Sequence, residues 1–221
     1  RGTRKPRPHR RLIPPGDPAR LMADHLLVIR SGATDYDHLC RIRGTLEMPL
    51  SATGVAEAEA AAAELLADPP VALYVADSPC AAETAQIICR GLGIRPRPLA
   101  DLANLDQGLW QGMLVEEIRH RQPRLARQWE DNPWAVVPPE GEPLDAACDR
   151  VETALERALK RHASGRVAVV VPHPLDRIVR WIVAGEPLGD LWDRDSAAPA
   201  VVALPLAAQW RSVSRRQPAL R

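Results

Sequence analysis

The chain has 221 residues, 46% of them apolar, and a formal net charge of +1. That length suits one α/β domain with a sizeable core, and the near-neutral balance excludes a body that works through a strong field of either sign. No apolar run approaches the ~20 residues that span a bilayer, and Cys40, Cys80, Cys89 and Cys148 lack CxxC or metal-ligand spacing, so the expectation is a cytoplasmic protein without membrane, metal or cofactor, its thiols reduced.

The charge is unevenly spread. Between Arg1 and Arg20 lie seven basic residues, five prolines and one acid, Asp17, whereas residues 44–89 hold no Lys or Arg. RGTRKPRPHRRLIPPGDPAR cannot bury an apolar face, so residues 1–23 read as an extended or disordered basic arm. Residues 1–20 can neutralise the phosphates of RNA or an acidic protein surface, and can equally be an inert tail. They lack the apolar stretch of a signal peptide. A folded domain is expected over 24–212 and a short tail over 213–221.

HLLVIR, 25–30, is an apolar run of strand length. PLSATGVAEAEAAAAELLADPP predicts a helix capped by Ser51 and stopped by Asp68-Pro69-Pro70. VALYVA is a second strand, and DSPCAAETAQIICRGLG a helix with Ser78 as cap, Pro79 in its first turn and Gly91 at its close. From Arg95 to Pro139 the chain is irregular and rich in Trp and Pro, with one helix expected from Val115 to about Trp129. EPLDAACDRVETALERALKRHASG is a longer helix with basic residues in its last turn. RVAVVV is the third clear strand and leads to His173 and a helix that Pro174 can start, while VVALPL and QWRSVS form an expected final strand pair. The alternation predicts a three-layer α/β/α sandwich with a mostly parallel central sheet.

In such sheets ligands bind outside the carboxyl ends of the strands. Arg30, Ser31 and nearby Arg41 follow the first strand and His173 the third, a grouping suited to an anion. The motifs around them occur in a family's order. IRSGATDYDHLCRIRG, EMPLSATGVAEAEAAAAEL, DSPCAAETAQII, LANLDQGLWQG, EGEPLDAACDRV and VVVPHPLDRIVR together resemble the histidine phosphatase superfamily, in its phosphoglycerate mutase-like branch, over roughly residues 25–212.

The resemblance implies a phosphohistidine mechanism, and the sequence departs from it at the reacting groups. The attacking histidine of the family falls on Ser31, and the glutamate that gives a proton to the leaving oxygen falls on Asn104, an amide that cannot titrate. The third phosphate-holding Arg, just before the Thr-Ala of the second helix, has no counterpart. The family's Asn near the pocket falls on Asp37, and the Gln of its Arg-x-Gln-Gly on Arg43. Arg30, Ser31, Arg41 and His173 remain as a ligand-binding set for a weakly held phosphate or other anion. Arg30 and Arg41 can bind that anion or pair with Asp35 or Asp37 and hold the loop together. Ser31 with His173 as base would be an alternative nucleophile, but no orienting acid is identifiable from sequence. The expected function is an inactive, phosphatase-like binding or scaffold component. The alternatives are a residual phosphomonoesterase on a small phosphorylated metabolite and an RNA-associated or complex-bound component held by the arm.

Overall fold

The computed structural model describes residues 23–206. Residues 1–22 of the basic arm, the QWRSVS segment and the 213–221 tail lie outside the described residues.

Five strands form one sheet: β1 (His25–Arg30), β2 (Ala72–Ala76), β3 (Pro96–Leu99), β4 (Arg166–Val171) and β5 (Val201–Pro205), in the order β3-β2-β4-β1-β5. The first four run parallel and β5 pairs antiparallel with β1. The inner strands read as unbroken apolar runs because both of their faces are covered: β2 is buried throughout, and β1 and β4 everywhere but their first residue. Leu26 pairs with Val167 and Arg30 with Val171, so β1 and β4 end at the same level.

Helices cover both faces. α2 (Ala52–Leu65) carries the chain from β1 to β2, α3 (Pro79–Leu92) from β2 to β3, α6 (Leu144–Leu159) precedes β4, and α7 (Leu175–Ala184) follows it. The β1→β2→β3 steps move one way across the sheet and the step back to β4 the other way. Right-handed crossovers therefore place α2 and α3 on one face and α6 on the opposite one, where α7 packs against α6 as well as against β1 and β5. The expected three-layer sandwich is the observed architecture.

Three local readings differ from the structure. α3 runs past Gly91 and ends at Gly93, which adopts the left-handed conformation, φ +67°, that lets a glycine close a helix. The single helix from Val115 is two, α4 (Val115–Arg121) and α5 (Pro123–Asp131), because the residue before a proline is pushed out of the helical region and Gln122 sits at φ −133°, ψ 57°. β3, sequence Pro-Arg-Pro-Leu, was read as irregular; it lies at the sheet edge, where a proline without an N–H forfeits no ladder bond.

The start of α2 is pressed onto the loop that follows β1. A Cβ on Gly54 would lie 2.0 Å from the Ala33 carbonyl oxygen, and one on Gly32 2.1 Å from that of Gly54. Ser51 caps α2, its Oγ accepting from the Gly54 amide at 3.1 Å and donating to the Ala33 carbonyl at 3.0 Å. This contact fixes the path of residues 31–34 at the sheet edge.

Candidate active-site pocket

Ser31 is the first residue beyond β1, and its amide still donates to the Val171 carbonyl of β4 at 2.8 Å. Its side chain is buried, and Oγ donates to Cys80 Sγ at 3.6 Å. Cys80 is the second residue of α3, delivered from the end of β2. The three neighbouring parallel strands β2, β4 and β1 thus bring Cys80, His173 and Ser31 to one edge. The sequence has no Arg between Arg43 and Thr84; the structure shows a thiol, Cys80, beside Ser31 and Arg43 bonded to that thiol. Arg43 Nη1 donates to Cys80 Sγ at 3.0 Å, and Nη2 to the His173 carbonyl at 3.0 Å. Arg43 was read only as a replacement of glutamine, and here it is a buried cation of the site.

The expected ligand set does not open on one cavity. The main cavity, about 480 Å³, is lined by Arg41, Arg43 and His173 together with Asp37, Glu57 and Arg194. Arg30 lines a second one of about 180 Å³ with Asp176, Arg177 and Arg180. Its guanidinium is drawn there by two carbonyls of the α7–β5 connection, Asp195 at 2.9 Å and Ala198 at 3.0 Å. Arg41 bonds neither Asp35 nor Asp37. It donates to the Gly112 carbonyl at 2.6 Å, and its backbone bridges Leu114, tying two loops of the rim together.

His173 leaves β4 with its carbonyl bonded by Arg43 and its Nδ1 3.2 Å from Asp176 Oδ1. Burial pushes the Asp176 carboxyl up, but the His173 hydrogen bond, the His173 charge, Arg30 and Arg177 outweigh it and hold Asp176 below the usual carboxylate range. An ionised Asp176 requires Nδ1 of His173 to carry a proton, and the other ring nitrogen, Nε2, is buried without a partner among the described residues. The orienting acid missing from the sequence reading is therefore Asp176, three residues further along the chain. The signal was present in the string HPLD, where an aspartate in the first turn of a helix faces back toward the preceding loop.

Asp37 and Arg194 form the opposite wall. Asp37 Oδ2 accepts from the Thr34 amide at 2.6 Å and the Thr34 hydroxyl at 2.8 Å, which holds α1 (Asp35–His38) against the loop. Burial raises its pKa; Arg43, the two Thr34 bonds and Arg194 lower it, and the net shift is downward. Glu57, on α2, is likewise raised by burial but lowered further by Arg194, the Ala33 amide and Arg30. Two ionised carboxylates in the pocket oppose a dianion. Arg194 had no place in the sequence reading, because nothing in the irregular stretch around it marks it out.

Asn104 donates through Nδ2 to the carbonyls of Gly44 at 2.8 Å and His173 at 3.0 Å. Its loop is positioned by Arg150 of α6, which donates to the carbonyls of Asp101, Ala103 and Asn104 and is itself paired with Glu142 at 2.6 Å. The amide is thus a structural link between two loops. Burial pushes the Cys89 thiol up to about 11, and burial with the neighbouring acids, Asp149 first, pushes Cys148 up to about 12, so both are inert. Among the described residues no three His, Cys, Asp or Glu side chains are placed to hold a metal.

A parallel sheet that presents His173 two residues beyond β4 and Ser31 directly after β1 is an α/β protein with its candidate site at the carboxyl edge of the strands. Residues 26–215 match the histidine phosphatase superfamily (branch 1), and the chain belongs to that family. It is similar to phosphoserine phosphatase 1 of Hydrogenobacter thermophilus, 29% identical over 80% of this chain and 85% of that one. It is also similar to phosphoglycerate mutase-like protein 4 of Arabidopsis thaliana, 31% identical over 66% of this chain and 64% of that one. Among solved structures it resembles YhfR of Bacillus stearothermophilus, TM-score 0.70 and 26% identical over 82% of this chain and 90% of that one. A mycobacterial glucosyl-3-phosphoglycerate phosphatase in complex with VO3 shares the fold, TM-score 0.68 and 24% identical over 77% of this chain and 86% of that one.

Proposed function

We propose that this histidine phosphatase superfamily member does not turn over phosphomonoesters through a phosphohistidine and works as a binding component. One observation carries the reading: the space beside Ser31 is taken by the chain's own charges. Arg43 and Arg194 occupy it, Asp37 and Glu57 neutralise them, and the Arg30 guanidinium is committed to two backbone carbonyls. Among the described residues, a phosphoryl group entering there would meet two carboxylates and no arginine free of a partner, and neither a histidine nucleophile at Ser31 nor a proton donor at Asn104. The names of the relatives, a phosphoserine phosphatase among them, support small phosphorylated metabolites as the ancestral ligand class.

Purified protein assayed with a generic phosphomonoester, beside a Ser31→His variant, tests this. Both are expected at background, and label transfer from substrate to the wild-type chain would overturn it. The residual hydrolase is supported by the Asp176–His173 pair, which supplies an oriented base. Against it stands the hydrogen bond of Ser31 Oγ, which goes to Cys80 rather than to that base. The reading in which residues 1–20 bind RNA or an acidic protein falls on residues outside those described.

A further inference from the structure

The cradle around Arg194 is built from the scaffold, while Arg194 itself is delivered by a loop. Glu57 projects from α2, Asp37 from α1, and the Ser31 carbonyl from the end of β1, whereas Arg194 sits in the helix-free and strand-free stretch between α7 and β5. Its Nη2 donates to Glu57 Oε2 at 2.7 Å and to the Ser31 carbonyl at 3.1 Å, Nη1 to Glu57 Oε1 at 3.3 Å, and Nε lies 3.8 Å from Asp37 Oδ1. Two parallel N–H···O bonds to one carboxylate are the fork geometry that a guanidinium makes and an ammonium cannot.

The strap that carries Arg194 is clasped in both directions. Arg194 reaches inward, and Arg30 and Arg177 reach outward to the strap's carbonyls at Asp195, Ala198 and Asp193. Arg194 does not fill the cavity: it lines the 480 Å³ space together with Glu57, Asp37 and His173, whose buried Nε2 is without a partner among the described residues.

We propose that Glu57, Asp37 and the Ser31 carbonyl form a guanidinium-binding site, occupied in this chain by its own Arg194 and open to the arginine side chain of a peptide ligand when the 190–199 strap lifts. The inference rests on the reading that the pocket binds rather than reacts, and it names the ligand chemistry. An oxyanion is repelled by the two carboxylates, and a simple ammonium satisfies one of them without the fork.

The test is rescue of Arg194→Ala by methylguanidinium chloride, against methylammonium chloride at equal ionic strength, read by thermal unfolding of the full chain. The variant is expected to unfold about 5 °C lower than wild type. About 50 mM methylguanidinium is expected to recover a large part of that loss, methylammonium little, and Glu57→Gln in the same background is expected to abolish the recovery. Equal effects of the two cations, no recovery, or recovery that survives Glu57→Gln would overturn the site. Should Arg194→Ala not fold, the measurement on wild type that follows carries the test by itself. Exchange with an outside ligand is read on wild type: N-acetyl-argininamide is expected to bind and to raise amide hydrogen exchange over 190–199. Binding that leaves the strap protected, or no binding, overturns that part. Phosphomonoester turnover would overturn the non-catalytic reading while leaving these cation titrations to stand or fall by themselves.

Discussion

At the scale of residues, the site is a set of exchanged partners. A thiol at position 80 leaves space beside Ser31, and Arg43 fills it; acids at positions 37 and 57 are balanced by Arg194. On the proposed reading, phosphatase chemistry requires that all of these be undone at once. Ser31→His alone is expected to restore nothing measurable, since a missing stabilising donor can cost ~100-fold or more in rate. Ser31→His with Cys80→Arg and Asn104→Glu restores the three reacting and holding groups, but Arg43 then competes with the guanidinium introduced by Cys80→Arg for one space, so Arg43→Gln and Asp37→Asn are needed as well. The comparison is turnover of one phosphomonoester across the single, triple and quintuple variants. Family-like turnover by the single variant would refute the reading in which the pocket's own paired charges exclude a phosphoryl group. A second residue-scale prediction concerns Asp176, fully enclosed and paired with His173. Asp176→Asn replaces the charged acceptor of the His173 Nδ1–H by a neutral amide in a buried position and is expected to cost about 2 kcal/mol, measured by urea unfolding.

At the scale of elements, the contact that positions Ser31 is backbone against backbone. The first turn of α2 meets the β1–α1 loop so closely that neither Gly32 nor Gly54 has room for a methyl group. Gly54→Ala is expected to destabilise by about 3 kcal/mol, at the upper end of overpacking costs, because the obstacle is a carbonyl that cannot rotate away. The check is a lower denaturant midpoint with an unchanged m-value. Ser51→Ala, which removes the cap of the same helix while leaving its path intact, is expected to cost about 1 kcal/mol. The strap is held differently. Trp192 stacks on Trp129 at 5.8 Å, lies edge-on to Trp110 at 5.4 Å and donates to Gln107 at 2.8 Å, so an aromatic cluster rather than a ladder anchors the segment that carries Arg194.

At the scale of the whole molecule, acid is the condition that attacks this arrangement. Asp37, Glu57 and Asp176 all have folded-state pKa values below their ordinary ones. Below about pH 4 the unfolded chain takes up protons at these groups more readily than the folded one. Their contribution is therefore complete above about pH 5 and is lost as pH falls through their folded values. His162, lowered by burial and then by Arg97 and Arg161, works in the same direction at higher pH, since the folded state resists its protonation. The urea midpoint is expected to fall steadily from pH 6 to pH 3, and Glu57→Gln should flatten the lower part of that curve. An unchanged slope in that variant would mean that the Arg194–Glu57 pair contributes nothing to folding.

The layers of this fold were legible in its sequence because their causes are local. HLLVIR, VALYVA and RVAVVV are apolar runs of strand length, Ser51 is a cap that bonds three residues ahead, and the order of motifs from IRSGATDYDHLCRIRG to VVVPHPLDRIVR ties the strand ends to one family's site. The losses at Ser31 and Asn104 were legible for the same reason, each being one residue read within its own motif. The break at Gln122 is local too, since Pro123 directly follows it in the sequence. What filled the emptied site was not local. The Cys80–Arg43 contact joins residues 37 apart in sequence, Glu57–Arg194 joins residues 137 apart, and Arg30 reaches a carbonyl 168 positions away. Such partners depend on rotamers and on the path of an irregular strap, which no periodicity encodes. The sequence therefore determined the fold, the family and the residue types at Ser31 and Asn104; tertiary structure alone decided which of the chain's own charges would pair beside them, because those pairings depend on the packing of segments far apart in the chain.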